Sequence, residues 1–318
     1  MSEATTAPAS PPAPRYAFGA LCVCAALGLF SIQDSLVKWM SGSYPIYEFL
    51  LLRTITMVPI LAVAAWREGG PQAFAVARPG LMIVRGLALV CAYTSFALSI
   101  ATISLAAATA IYFTLPLFVA GLSWPLLGER VPGYRWIAIV VGFAGVLVMV
   151  QPWQAGGLFE PAALLALAGA FLYGLGQMMA RFFKNERTSA IAFYQSLVYL
   201  TVAAVLTAIF AGGVFDQFDH RSLQFLTRAW VPPTWLDLTL MLAFGPLSAI
   251  GMPLYVQGYK TTPPSFAAAF EYTGMFWAVG LGWLIFRDLP DMPTLAGAAI
   301  VAGAGLFMLY CDRRAGRL

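Results

Sequence analysis

The chain of 318 residues contains a single histidine, His220. Zinc, haem and Ser-His-Asp chemistry each need ligands or bases that it lacks. Its four cysteines, Cys22, Cys24, Cys91 and Cys311, lie in or at the edge of apolar runs without CxxC spacing. They read as small packing residues rather than disulfide or metal partners. No GxxxxGK[ST] stretch occurs, so ATP does not drive the protein directly. No cofactor and no metal are expected. Charge is also scarce: 10% of residues are charged, against about 25% in a soluble domain.

What fills the chain instead is apolar. Hydrophobic residues make up 60% of it, and the mean hydropathy is +0.79. No water-soluble core uses that much apolar surface, so the sequence predicts an all-α integral membrane protein in a lipid bilayer. A net charge of +4 carries no nucleic-acid signal, because basic cytoplasmic loops are normal in membrane proteins. Residues 1–14, "MSEATTAPASPPAP", read as a disordered cytoplasmic tail. They have no basic n-region, and no clear cleavage site follows the first apolar run, so that run is expected to stay as an anchor.

A membrane helix needs about 20 apolar residues. Ten such spans are expected, at 16–40, 44–66, 78–99, 103–127, 134–151, 161–181, 188–211, 236–259, 265–286 and 292–311. The long connection at 212–235 carries Leu223, Phe225, Leu226 and Trp230, and these side chains would let it lie on the membrane surface. With the N-terminus inside, the cytoplasmic segments hold Arg15, Arg67, Arg78, Arg130, Arg135, Arg181, Lys184, Arg187, Lys260, Arg313, Arg314 and Arg317. The opposite side holds Lys38, Arg221, Arg228 and Arg287. This bias predicts two cytoplasmic termini in the inner membrane.

Two stretches repeat. "ATAIYFTLPLFVAGLSWPLLGER" begins at Ala108 and "AAAFEYTGMFWAVGLGWLIFRDL" at Ala267. At a constant offset, Ala108 meets Ala267, Thr114 meets Thr273, Gly121 meets Gly280 and Trp124 meets Trp283. A Gly/Ala-rich span follows in each case. Five spans per half is an odd number, so the second half enters the membrane from the opposite side. The expectation is two inverted five-helix repeats, 15–151 and 152–318, with a solute site near the midplane at their interface.

The span order, the repeat and the "LLGER" ending of the fourth span resemble the drug/metabolite transporter superfamily, EamA type. The resemblance covers about residues 16–311 and implies a secondary carrier of small metabolites. It implies no particular solute and no direction.

Charges inside a bilayer are costly, about 2.5–3.5 kcal/mol at the centre on insertion scales, and usually face a cavity or a partner. Asp34 and Lys38 fall late in the first span; Glu48 and Arg53 fall in the second. All four lie in the outer half, as a solute pathway or as a structural ion cluster. Arg85 and Glu271 enter from the cytoplasm and both lie roughly 10 Å deep at 1.5 Å per residue. Equal depth and opposite charge predict a pair, structural or shared with solute. Tyr112 and Tyr272 either line the path or pack between helices.

The sequence thus reads as an alternating-access exporter of a small metabolite, such as an amino acid or related zwitterion, and not as an enzyme. The alternative is an importer of a vitamin-like aromatic solute such as riboflavin; a distant one is an intramembrane enzyme. The partners expected are a small-molecule solute and the lipid bilayer, with no nucleic acid, for a monomer or homodimer.

Overall fold

A computed structural model describes residues 16–115, 117–118, 121–122, 132–150, 161–183, 186–215, 217–261, 270–271, 273–287 and 289–315. The described residues are helical throughout their long apolar runs. The helices are α1 (Tyr16–Met40), α2 (Ile46–Gly69), α3 (Pro79–Ile100), α4 (Leu105–Tyr112), α5 (Gly133–Val150), α6 (Pro161–Met179) and α7 (Thr188–Phe210). A short α8 (Arg221–Thr227) follows, then α9 (Trp235–Thr261), α10 (Thr273–Leu281) and α11 (Met292–Arg314). Local sequence sets the ends. Ser104 and Asp291 cap α4 and α11 by accepting from the amides of Ala107 and Thr294, both at 3.1 Å. His220 Nδ1 accepts from the Ser222 amide at 3.3 Å and starts α8, so the one histidine of the chain serves as a helix cap.

Six helices among the described residues are long and apolar enough to cross a membrane: Ala17–Met40, Ile46–Phe74, Pro79–Ile100, Pro161–Met179, Thr188–Phe210 and Trp235–Gly258. Shorter apolar helices, Trp136–Gly145, Phe276–Phe286 and Met292–Phe307, fall at the fifth, ninth and tenth expected spans. The fourth span, 103–127, is only partly within the described residues. Ile55, Ile60, Val63, Val140, Val205 and Ile250 are exposed on the outside of the bundle. A belt of this kind suits lipid rather than water.

Helices pack in a regular scheme. The most extensive contacts are α5 with α11, α3 with α6, α1 with α9 and α2 with α7. Next come α2 with α9, α3 with α7, α1 with α10 and α4 with α6. Exchanging α1 through α5 with α6, α7, α9, α10 and α11 maps every one of these pairs onto another or onto itself. Close approach depends on glycine at the tightest points. A Cβ on Gly245 of α9 would sit 2.6 Å from the Arg53 carbonyl oxygen and 2.8 Å from the Met57 nitrogen of α2. One on Gly145 of α5 would sit 2.9 Å from the Gly297 oxygen of α11. Small residues at such crossings let helix backbones touch where lipid offers no hydrophobic drive for association.

The connection after α7 packs one side against the helix ends and keeps Val214, Phe215, Phe218 and Leu223 exposed. It folds into the end of the bundle. Phe225 of α8 is fully buried, with its ring centroid 6.0 Å from that of Phe49, which in turn stacks at 6.1 Å on Phe244. Ser222 Oγ donates to the Leu98 carbonyl at 2.8 Å and pairs with Thr102 Oγ1 at the same distance. Arg228 donates to the Gly42 carbonyl at 2.7 Å, and Tyr47 donates to the Arg228 carbonyl at 2.7 Å. The helix ends it meets leave backbone acceptors such as the Leu98 and Gly42 carbonyls, and burial of Phe225 removes its ring from water. The segment therefore plugs the ends of α1, α2 and α3. Leu223 alone of the four expected surface side chains is markedly exposed, at 40%.

Candidate functional site

Below this plug the helices part around a cavity of about 210 Å³. Both halves of the chain line it. The first half contributes Gln33 and Asp34 from α1, Arg53 from α2, Arg85 and Tyr93 from α3, and Tyr112 from α4. The second half contributes Tyr173 and Gln177 from α6, Gln195 and Tyr199 from α7, Tyr255 from α9, and Glu271. Tyr112 and Glu271 are separated by 159 residues, the offset expected from the sequence repeat.

The tyrosines form an arc. Tyr112 lies between Phe96, at 5.0 Å between ring centroids, and Tyr173, at 5.7 Å. Tyr173 meets Tyr255 at 6.5 Å, and Tyr255 meets Phe30 at 6.2 Å. A second group holds Arg53. Its guanidinium carbon lies 4.8 Å from the Tyr93 ring centroid and 5.9 Å from that of Tyr199. Desolvated cation–π contacts of this kind are each worth up to about 2 kcal/mol or more.

The expected pair of Arg85 and Glu271 is not formed, although both line the cavity. Arg85, 3% exposed, donates Nε–H to the Gly176 carbonyl at 3.1 Å and an N–H to Gln195 Oε1 at 3.0 Å. Glu271 accepts from the Tyr255 hydroxyl at 2.6 Å. Both charges find neutral partners on neighbouring helices. Asp34 and Arg53 also reach the cavity, and the field of Arg53 reaches Asp34. Lys38 and Glu48 are not among the lining residues. Lys38 donates Nζ–H to the Ile103 carbonyl at 2.7 Å and sits 5.5 Å from the Phe286 ring centroid. Glu48 is fully buried and its carboxylate makes no well-formed hydrogen bond among the described residues. The backbone amide of Val231, just beyond α8, is the donor that faces it. The cluster expected from sequence is thus divided, with Asp34 and Arg53 at the cavity and Lys38 and Glu48 in the packed end. Tyr272 lies outside the described residues.

Sequence reasoning missed Gln33, Tyr93, Tyr173, Gln177, Gln195, Tyr199 and Tyr255. A signal for several of them was present. Arg85, Leu89, Tyr93 and Phe96 recur at one helical face, as do Tyr173 with Gln177 and Gln195 with Tyr199, four apart. A glutamine one turn from a tyrosine in an apolar span marks a face that avoids lipid.

Chemically, the cavity offers both charge signs, amides and aromatic faces. Among the described residues no group of three His, Cys, Asp or Glu side chains could hold a metal ion.

Comparison with known proteins agrees with this architecture. The model of the EamA-like transporter family matches the chain twice, over residues 17–151 and 160–311. The S-adenosylmethionine uptake transporter of Rickettsia prowazekii (strain Madrid E) is 24% identical over 289 residues, covering 89% of this chain and 90% of that protein. The pseudopaline exporter CntI of Pseudomonas aeruginosa (strain PAO1) is 27% identical, covering 90% and 94%. The riboflavin transporter of Rhizobium johnstonii is 26% identical, covering 94% and 93%. A crystal structure with a TM-score of 0.62 and 18% identity covers 93% of this chain and 98% of its own, a likeness of fold. Two family matches that together take in nearly the whole chain, on a helical membrane fold, make this protein a member of the EamA-like transporter family: a membrane transporter and not an enzyme.

Proposed function

We propose that the protein is a secondary carrier that exports a small zwitterionic metabolite, such as an amino acid or a related compound, across the bacterial inner membrane. The observation that carries this reading is the cavity, where Asp34, Arg53, Arg85, Glu271 and the tyrosine arc come from both halves of the chain. Two halves that rock against each other around a shared site give alternating access. Uptake of S-adenosylmethionine by the Rickettsia relative supports an amino-acid type of solute. Both termini are cytoplasmic in this reading, and the α8 end faces outward.

A second reading, import of a flat aromatic solute, is favoured by the tyrosine arc and by the riboflavin transporter of Rhizobium johnstonii. Metabolite profiles inside and outside deletion and overexpression strains separate the two. Export predicts a zwitterion that accumulates inside the deletion strain and outside the overexpressing one. Loss of vitamin uptake in the deletion strain establishes the second reading. Unchanged profiles in both strains, with no solute flux in proteoliposomes, remove the carrier. Reporter fusions at Leu318 and near Asp219 test the orientation; an outward-facing reporter at Leu318 reverses it.

A further inference from the structure

Four charged side chains meet the cavity, and they are not equivalent. Arg85 is engaged by Gly176 and Gln195, and Glu271 by Tyr255. The other two are less fully engaged. Arg53 is held by the rings of Tyr93 and Tyr199, and the Tyr93 hydroxyl faces one edge of its guanidinium as an acceptor. Its Nε is buried and has no acceptor. Gln33, 3% exposed, is held at one end of its amide by Ser248 Oγ at 2.9 Å, and the other end, Nε2, has no partner. Asp34 follows Gln33 directly on α1, and its carboxylate makes no hydrogen bond among the described residues. Asp34 and Arg53 lie within electrostatic reach of each other without forming an ion pair.

Buried polar groups in folded proteins are nearly always bonded, so a cluster of exceptions calls for a partner from outside the chain. Here the exceptions are specific. Two buried donors, Arg53 Nε and Gln33 Nε2, lack an acceptor, and the partly exposed Asp34 carboxylate faces the same cavity. A simple anion would satisfy Arg53 and Gln33 but be repelled by Asp34. A simple cation would satisfy Asp34 and be repelled by Arg53. One solute that carries an ammonium and a carboxylate on the same carbon satisfies all three.

Resting on the carrier reading above, we propose that Gln33, Asp34 and Arg53 form a head-group site for α-amino acids. Arg53 and Gln33 receive the carboxylate. Asp34 receives the ammonium and fixes the sense in which the solute lies. Its side chain then runs along the arc of Tyr112, Tyr173 and Tyr255. Arg85 is a positioning residue that ties α3 to α6 and α7, not a receptor.

Equilibrium dialysis of the full chain in lipid nanodiscs tests this with three matched probes: L-phenylalanine, phenethylamine and 3-phenylpropionate. The amino acid should bind at least about tenfold tighter than either half-molecule, the size of one lost charged contact. Asp34→Asn should weaken L-phenylalanine about tenfold or more and leave 3-phenylpropionate as tight or tighter. Arg53→Gln should do the same to L-phenylalanine and spare phenethylamine. Arg53→Lys keeps the charge but loses the planar fork and should fall between. If Arg53→Gln does not fold, as read by circular dichroism melts, the Arg53→Lys and Asp34→Asn arms decide. Equal binding of the three probes, binding of none, or an unchanged preference in the variants overturns the assignment. Flux of labelled L-phenylalanine into proteoliposomes separates the two readings. Binding without flux removes the carrier and keeps the head-group site; flux with no charge-selective loss does the reverse.

Discussion

Tyr255 of α9 donates its hydroxyl hydrogen to Oε1 of Glu271 across 2.6 Å. This bond is one reason why a carboxylate is tolerated near the start of a membrane helix. Hydrogen bonds to charged groups contribute about 1.5–3 kcal/mol, and a buried acceptor that loses one retains its desolvation cost. Tyr255→Phe should therefore lower unfolding stability by about that amount. Adding Glu271→Gln should recover part of the loss, because the two residues form one unit. Denaturant unfolding in detergent measures both; a Tyr255→Phe variant as stable as the parent would show that the bond contributes nothing.

Arg85 depends on Gln195 in the same way. Gln195→Leu removes the acceptor at 3.0 Å and should cost about 1.5–3 kcal/mol. A double-mutant cycle should give a larger coupling energy for Arg85 with Gln195 than for Arg85 with Glu271, since residues that share a bond couple and those that do not are closer to additive. The opposite order would restore the direct ion pair expected from helix depth.

Phe225 and Leu223 lie two residues apart in α8, one buried and one exposed. Phe225→Ala should cost about 3–5 kcal/mol, the usual range for emptying a core aromatic site. Leu223→Ala should stay within about 0.5 kcal/mol. Thermal unfolding of the two variants side by side tells a packed plug from a helix resting on lipid, which would give similar small losses.

Gly245→Ala tests the α2–α9 crossing. The added methyl meets backbone atoms of Arg53 and Met57, and backbone cannot rotate away. A cost of about 1–3 kcal/mol is expected from overpacking. Because α2 must shift at Arg53 itself, solute binding should weaken as well. Unchanged melting and unchanged binding would mean that the helices separate without consequence.

Much of this protein was legible before any fold was known. A span is a local property: bilayer thickness fixes its length, and hydropathy over about 20 residues reveals it. That is why α1, α2, α3, α6, α7 and α9 fall close to their expected positions. Membrane charges are conspicuous for the same reason, so Asp34, Arg53, Arg85 and Glu271 could be named from sequence, and all line the cavity together with Tyr112.

Partnership was not legible. Depth alone made Arg85 and Glu271 look like a pair, but a helix can turn about its axis without changing depth, and Gln195 and Tyr255 face them instead. Lys38 and Glu48 lie in the same stretch of sequence as Asp34 and Arg53, yet sit in the packed end. The apolar side chains of α8 suit a membrane surface and a protein interior equally well; contacts with Phe49 and Leu98 place Phe225 and Ser222 inside the bundle while Leu223 stays exposed. The sequence by itself determined class, span positions and the stock of charged groups, because these depend on composition within one helix. The tertiary structure decided which groups meet, because that depends on helix rotation and on close contacts such as Gly245 against Arg53, which one helix taken alone does not specify.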